Sequence, residues 1–300
     1  MSALAGSIDP PAIRKPPAAT MPSPIAYALY PSLANKRVLI TGGGTGIGAT
    51  LVEAFAGQGA QVDFLDIADD ASLALQERLS DLNVPHVTQG TQGTLGTHAP
   101  HEPPHPPRFT HCDLTDLDAL AHTLAQIAQH RGAIDILINN AANDNRHAVD
   151  AISPRQWDDS IAVNLRHLFF CAQAVLPGMK AAGGGVILNM GSISWHRALP
   201  DLAMYLTAKA AIEGLTRGLA RDLGPHNIRV NSVIPGGVRT PRQTLLWHGP
   251  EEEARIMAGQ CLKQRVEPED VAALTLFLAS DNAARCTGRE YFVDAGWYGA

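Results

Sequence analysis

From Lys36 onward the chain alternates short apolar runs with longer stretches whose apolar residues recur at helical spacing, and this alternation restricts the architecture more than any other feature. The runs that read as strands are 37–41, 61–66, 109–113, 135–139, 185–190, 228–233 and 290–293. Amphipathic segments lie between them at 47–57, 116–130, 154–182, 205–224 and 268–279. A strand that is apolar on both faces must be covered on both, and helices placed between successive strands supply that cover. The expected fold class is therefore α/β: a single Rossmann-like, doubly wound parallel sheet of about seven strands, with right-handed crossovers and helices on both faces.

The hydrophobic share of 45% over 300 residues is enough to bury such a core. Residues 33–300 read as one catalytic domain, preceded by a Pro/Ala-rich tail over 1–32 in which Pro10, Pro11, Pro16, Pro17, Pro22, Pro24 and Pro31 oppose regular structure; that tail is expected to be mobile. A surface insertion is expected at 88–107, where Gly, Thr, Pro and His stand between a helix and a strand. Its histidines His98, His101 and His105, with His111 just beyond, read as a solvated loop, and no metal is expected. The net charge of −6 argues against nucleic acid as a partner. No run approaches the roughly 20 apolar residues of a membrane helix, the first thirty residues lack the apolar core of a secretory signal, and Cys112, Cys171, Cys261 and Cys286 form no C-x-x-C pair. A reduced, cytoplasmic protein is the expectation.

The first strand runs into Gly42-Gly43-Gly44-Thr45-Gly46-Ile47-Gly48 and then a helix. Backbone without Cβ atoms can turn sharply and let a pyrophosphate approach the free N–H groups of a helix N-terminus, and the strand–loop–helix context is the one a dinucleotide site requires. The second strand ends at Asp66, 18 residues beyond Gly48. A carboxylate there can accept from ribose hydroxyls and repel a 2′-phosphate, so NAD is expected over NADP; as a plainer alternative Asp66 only caps the next helix. Asp63 is a less well placed competitor. At the end of the third strand, Asp113 and the Leu114 backbone are placed for the adenine, with an N-cap role for Asp113 or Thr115 as the alternative.

Tyr205 and Lys209 are four apart in a helical stretch and share a face. A phenol is a poor base near neutrality, and a nearby ammonium favours its ionised form. Ser192 follows the apolar strand 185–190, where the carboxyl ends of parallel strands face the ligand crevice; Ser194 is its rival. Asn164 sits in a helical stretch where Asn is unfavourable unless something offsets it.

Together TGGGTGIG at 41–48, NNAAN at 139–143, Asn164, Ser192, Y-x-x-x-K at 205–209 and PGGVRT at 235–240 resemble the short-chain dehydrogenase/reductase family over roughly residues 33–298, the insertion excepted. That resemblance implies Tyr205 as catalytic acid/base, Lys209 as binder of the nicotinamide ribose and depressor of the tyrosine pKa, Ser192 as the group orienting substrate, and Asn164 as holder of a relay water through a kinked helix. It implies that Gly42, Thr45, Gly46, Ile47 and Gly48 carry the phosphates, that Asn139 and Ala141 lie beside the cofactor, and that Pro235, Val238 and Thr240 pack on the nicotinamide. Ala142 and Ala295 depart from the family by standing where it usually has glycine.

AANDNRH at 141–147, VNLRH at 163–167, GSISWH at 191–196, QCLK at 260–263 and CTGREYFVDAGW at 286–297 resemble bacterial sugar 1-dehydrogenases of this family, those acting on D-xylose nearest, with L-arabinose and related aldoses as neighbours. The resemblance implies NAD-dependent oxidation of the C1 hydroxyl of an aldose to the aldonolactone, with Asn143, Arg146, Ser192, Trp195, His196 and Tyr205 toward the sugar. A non-sugar alcohol dehydrogenase or ketoreductase of the same family is the alternative; a non-catalytic dinucleotide binder would have lost Tyr205, Lys209 or Ser192, and all are present. Family members of this length are commonly homotetramers or homodimers, and the stretches 154–182 and 205–224 are suited to a two-fold contact. Residues 241–262 are expected to cover the pocket as a lid hinged at Gly249-Pro250.

Overall fold

A computed structural model describes residues 27–81 and 105–299. Seven strands form one parallel sheet: β1 (Arg37–Thr41), β2 (Gln61–Asp66), β3 (Arg108–His111), β4 (Ile136–Asn139), β5 (Gly185–Met190), β6 (Ile228–Pro235) and β7 (Glu290–Val293). Their spatial order is β3-β2-β1-β4-β5-β6-β7. The order reverses between β1 and β4, which opens a crevice at their carboxyl ends.

Side-chain alternation along the strands divides the core in two. Val38 and Ile40 of β1 face the layer of α1 (Gly46–Gly57) and α9 (Pro268–Ala279), with Phe55, Val271 and Leu276. Leu39, one residue away, faces the other layer, where α3 (Leu117–Arg131), α5 (His167–Ala181) and α6 (Ala203–Leu223) bring Leu124, Met179 and Leu223. Both faces of the central strands β1, β4 and β5 are buried, which is why these strands read as unbroken apolar runs.

The strand and helix assignments match the periodicity closely, with informative differences. The strand expected at 109–113 stops at His111, because Asp113 accepts from both the N–H and the hydroxyl of Thr115 and turns the chain. The helix after it is capped by Asp116, not by Asp113 or Thr115. The stretch 154–182 is two helices, α4 (Pro154–Ile161) and α5, joined through a π-helical segment at Ala162–Arg166. The lid region is likewise two helices, α7 (Pro241–Leu246) and α8 (Pro250–Gly259), with Gly249 as the N-cap of the second.

Of the expected tail, residues 1–26 lie outside the described residues. Residues 27–32 are tied to the body: Tyr30 N–H donates to Gln58 at 2.8 Å, Gln58 donates to the Ala28 carbonyl at 3.0 Å, and Tyr27 packs on the core. Residues 88–104 of the expected insertion also lie outside the described residues. His111 pairs with Asp69 at 2.7 Å, and no metal-binding cluster occurs among the described residues.

Candidate active site

At the switch point between β1 and β4 the glycine loop and the loop after β4 are pinned together. Asn140 donates to the carbonyls of Thr41 and Gly42 at 3.1 and 2.8 Å, and Thr41 Oγ1 accepts from the N–H groups of Asn140 and Ala141. Gly42 has a φ of 66°, and a Cβ there would stand 2.7 Å from Ala141 Cα, so only glycine allows this approach. Thr45 precedes α1 without capping it, leaving the first-turn N–H groups turned toward a cleft of about 640 Å³. That is the arrangement that receives an anion.

Gly42, Thr45, Gly46, Ile47, Gly48, Asp66, Asp113, Leu114, Ala141, Pro235, Val238 and Thr240 all line this cleft, as expected of cofactor residues. Asn139 does not. It lies on the strand with its amide buried, donating to Asn189 Oδ1 at 2.9 Å and the Leu168 carbonyl, and its neighbour Asn140 reaches the cleft instead. Asp66 braces its own loop as well as facing the cleft, since Oδ2 accepts from Gly44 N–H at 2.8 Å and Oδ1 from Ile67 and Ala68. An ionised carboxylate offers about four lone-pair sites, so roughly one remains for a ligand. Asp63 points the other way, buried against Arg131; burial nevertheless raises its pKa, with Arg131 opposing.

Ser192, Tyr205 and Lys209 line the same cleft. Lys209 Nζ donates to the Met190 carbonyl at 2.7 Å and lies 5.5 Å from the centroid of the Tyr205 ring. Burial lowers its pKa to about 8, against the pull of Asp144. Burial and the Asp144 charge push the Tyr205 phenol upward, and its hydrogen bond with Ser192 opposes them. Burial is the largest influence on both groups, raising the phenol and lowering the ammonium. Ser192 Oγ donates to Ser194 Oγ at 2.8 Å, so both hydroxyls sit at the site.

Asn164 is buried in the π-helical turn and does not line the cleft. Its amide holds Asn143 by both backbone groups, accepting at 2.8 Å and donating at 3.0 Å. Asn143 and Arg146 do line the cleft. Trp195 and His196 do not, which corrects their assignment to the sugar: both donate toward Glu213 of α6, at 2.7 and 2.9 Å, and His196 stacks among Trp195, Phe292 and Tyr298. Arg197, the next residue along, does line the cleft. Asp144, read from the sequence as a polar group toward a polyol, also lines the cleft, whereas Arg242, Gln243 and Trp297 were passed over because only tertiary folding brings them there. Asp144 accepts from Gln243 at 2.6 Å and pairs with Arg242 at 3.4 Å, which ties α7 down over the cleft.

Residues 95–298 match the family model described as enoyl-(acyl carrier protein) reductase. The chain is 53% identical over 273 residues to a D-xylose 1-dehydrogenase of Caulobacter vibrioides, covering 91% of this chain and 100% of that protein. It is 44% identical to a probable galactose dehydrogenase of Rhizobium meliloti, covering 92% and 99%. A Serratia marcescens short-chain dehydrogenase/reductase variant superimposes with a TM-score of 0.75 at 28% identity, covering 89% of this chain and 99% of that one.

Proposed function

The chain belongs to the short-chain dehydrogenase/reductase family and is an oxidoreductase acting on CH–OH donors, and on that premise we propose that it oxidises the C1 hydroxyl of an aldose to the aldonolactone with NAD. D-xylose or a related pentose such as L-arabinose is the substrate favoured by the full-length similarity to sugar dehydrogenases. The observation that carries the chemistry is the meeting of Ser192, Tyr205 and Lys209 in the same cleft as the uncapped N-terminus of α1.

The residues present suit a nicotinamide dinucleotide. The first turn of α1 and the glycine loop would take its phosphates, Asp66 and Asp113 its adenosine end, and Pro235, Val238 and Thr240 its nicotinamide end. NAD is preferred over NADP because Asp66 stands where a 2′-phosphate would lie, and the cationic cleft residues Arg146, Arg197, Lys209 and Arg242 belong to segments at the other end. When bound, oxidised NAD supplies a hydride acceptor and a positive charge beside the phenol.

Tyr205 Oη takes the proton of the C1 hydroxyl as the C1–H bond is broken, and Ser192 Oγ holds the same oxygen in line. Lys209, fixed by the Met190 carbonyl, supplies the charge that favours the phenolate once the site is filled. Asn164 acts indirectly by holding the Asn143 loop. The enzyme is read as cytoplasmic, in keeping with its free cysteines, and no helix among the described residues is long and apolar enough to cross a membrane. A homotetramer or homodimer is the assembly we favour: Phe169 and Phe170 of α5 stand 42% and 36% exposed on a helical face that a second copy would cover.

The test is a panel of aldoses with NAD and purified protein, followed by NADH absorbance. Turnover of D-xylose or L-arabinose is expected. Silence with every aldose, alongside brisk oxidation of a non-sugar alcohol, overturns the substrate.

A further inference from the structure

Arg197 lies one turn beyond the catalytic serine, its N–H donating to the Ile193 carbonyl at 3.0 Å, and its side chain enters the cleft that Ser192 and Tyr205 share. The guanidinium carbon sits 3.6 Å from the centroid of Trp297. That indole is seated by two glycines: a Cβ on Gly259 would come within 2.0 Å of its Nε1, and one on Gly237 within 3.0 Å of Cζ3. Gly237 belongs to the segment between Pro235 and Val238, so the Arg197–Trp297 pair stands at the reacting end of the cleft and away from Asp66 and Asp113.

Among the described residues the Arg197 guanidinium makes no hydrogen bond and no ion pair, and its Nη1 is buried without an acceptor. The arginines around it are engaged. Arg255 forks onto both oxygens of Glu252 at 2.7 Å, Arg265 holds Glu253 and the Gly237 carbonyl, and Arg242 reaches Asn143, Asp144 and Asn145. Arg146 covers Trp247 and is exposed. Arg265 also leaves its Nε buried without a partner, but it does not line the cleft. Of these arginines it is Arg197 that lines the cleft half-buried with a donor left unmatched, and burial, with the Arg255 charge, lowers its pKa from the usual guanidinium range. A buried donor without a partner is rare in a folded protein and marks a place where something else brings the acceptor.

We infer that Arg197, held over the face of Trp297, is the specificity-determining residue that receives the hydroxyls of the sugar remote from C1. A guanidinium is a rigid planar fork of donors with no acceptor, and contact with an aromatic face leaves its N–H groups pointing edgewise. Two of them match a pair of vicinal ring hydroxyls. The inference rests on the aldose reading above and adds to it the residue that would distinguish one aldose from another.

The test is steady-state kinetics of the full-length protein and of Arg197→Met, Arg197→Gln and Arg197→Lys, with the preferred aldose and with analogues deoxygenated singly at C2, C3 and C4. NADH binding by fluorescence reports whether each variant is folded. Arg197→Met and Arg197→Gln are expected to raise KM for the parent aldose about 10- to 100-fold, with kcat changed only a few-fold and NADH affinity unchanged. For at least one deoxy analogue the penalty should shrink to about 3-fold or less, because the hydroxyl that Arg197 holds is already missing. Arg197→Lys should fall between, and added guanidinium ion should restore part of the loss in Arg197→Met. An unchanged KM, or an equal penalty on every analogue, overturns the role of Arg197 while leaving the aldose reading intact. No turnover of any aldose by the unaltered protein overturns both. A hexuronate used more than tenfold better than neutral aldoses, and only with Arg197 present, replaces the hydroxyl pair by a carboxylate.

Discussion

Asn164 and Asn143, 21 positions apart, hold each other by a paired contact: the Asn164 carboxamide oxygen accepts the Asn143 N–H at 2.8 Å, and its amide donates to the Asn143 carbonyl at 3.0 Å. The π-helical turn at Ala162–Arg166 places Asn164 for this. Such turns insert one residue into a helix and are frequent at functional sites. Through Asn143 and Asp144 the contact continues to Arg242 and Gln243 of α7.

Asn164→Asp replaces the donor by a carboxylate oxygen facing the Asn143 carbonyl. A buried hydrogen bond lost in this way costs about 1–3 kcal/mol, and the released loop displaces the cleft wall. The expected outcome is a lower Tm by thermal unfolding and a kcat/KM reduced by roughly tenfold or more. Unchanged kinetics would remove Asn164 from the organisation of the site.

Tyr205→Phe removes the proton-transfer hydroxyl and almost no volume. A fall in kcat of about 10²- to 10⁴-fold is expected, the range general acid–base catalysis supplies, with NADH binding retained. Full activity in this variant would reject the assigned base.

Asp66→Asn removes the charge that opposes a 2′-phosphate and leaves one oxygen to serve the N–H groups of Gly44, Ile67 and Ala68. NAD affinity should drop by roughly tenfold or more, while NADP affinity stays level or rises. Equal losses for both cofactors would mean that Asp66 only braces the loop.

Asp144 raises the pKa of both Tyr205 and Lys209. Asp144→Asn removes a negative charge that disfavours the phenolate and favours the ammonium, so both groups ionise or neutralise at lower pH. With Lys209 at about 8 in the unliganded protein, the limbs of the kcat/KM profile should move to lower pH in the variant. A profile that stays in place, or moves upward, contradicts the electrostatic role.

Ala295 has a φ of 55°, a left-handed conformation that costs a residue with a Cβ about 1–2 kcal/mol. Glycine loses more freedom on folding, which offsets part of the relief. Ala295→Gly is expected to stabilise by up to about 1 kcal/mol, raising Tm by roughly 2–4 °C, with kcat unchanged. A lower Tm would show that the methyl contributes packing that outweighs the strain.

Local chemistry made much of this protein legible before folding. Residues 37–41, 61–66, 185–190 and 290–293 read as strands because both faces of those runs had to be apolar, and they are strands with those limits. The glycine loop declared itself through its position between a strand and a helix, and Tyr205 and Lys209 through their spacing on one. What escaped was direction at single-residue offsets. Asn139 and Asn140 are adjacent, yet one is sealed in the sheet and the other reaches the cleft, because β4 ends between them. Trp195, His196 and Arg197 are consecutive, yet the first two turn to Glu213 and only the third enters the cleft.

The chain by itself determined its α/β frame, its phosphate loop and the reacting pair, since periodicity and turn chemistry act between near neighbours. Tertiary structure alone decided which polar side chains line the cleft. That choice depends on where α6 presents Glu213, where β7 leads Trp297, and how α7 closes onto Asp144, contacts between residues 17 to 100 positions apart that no local pattern encodes.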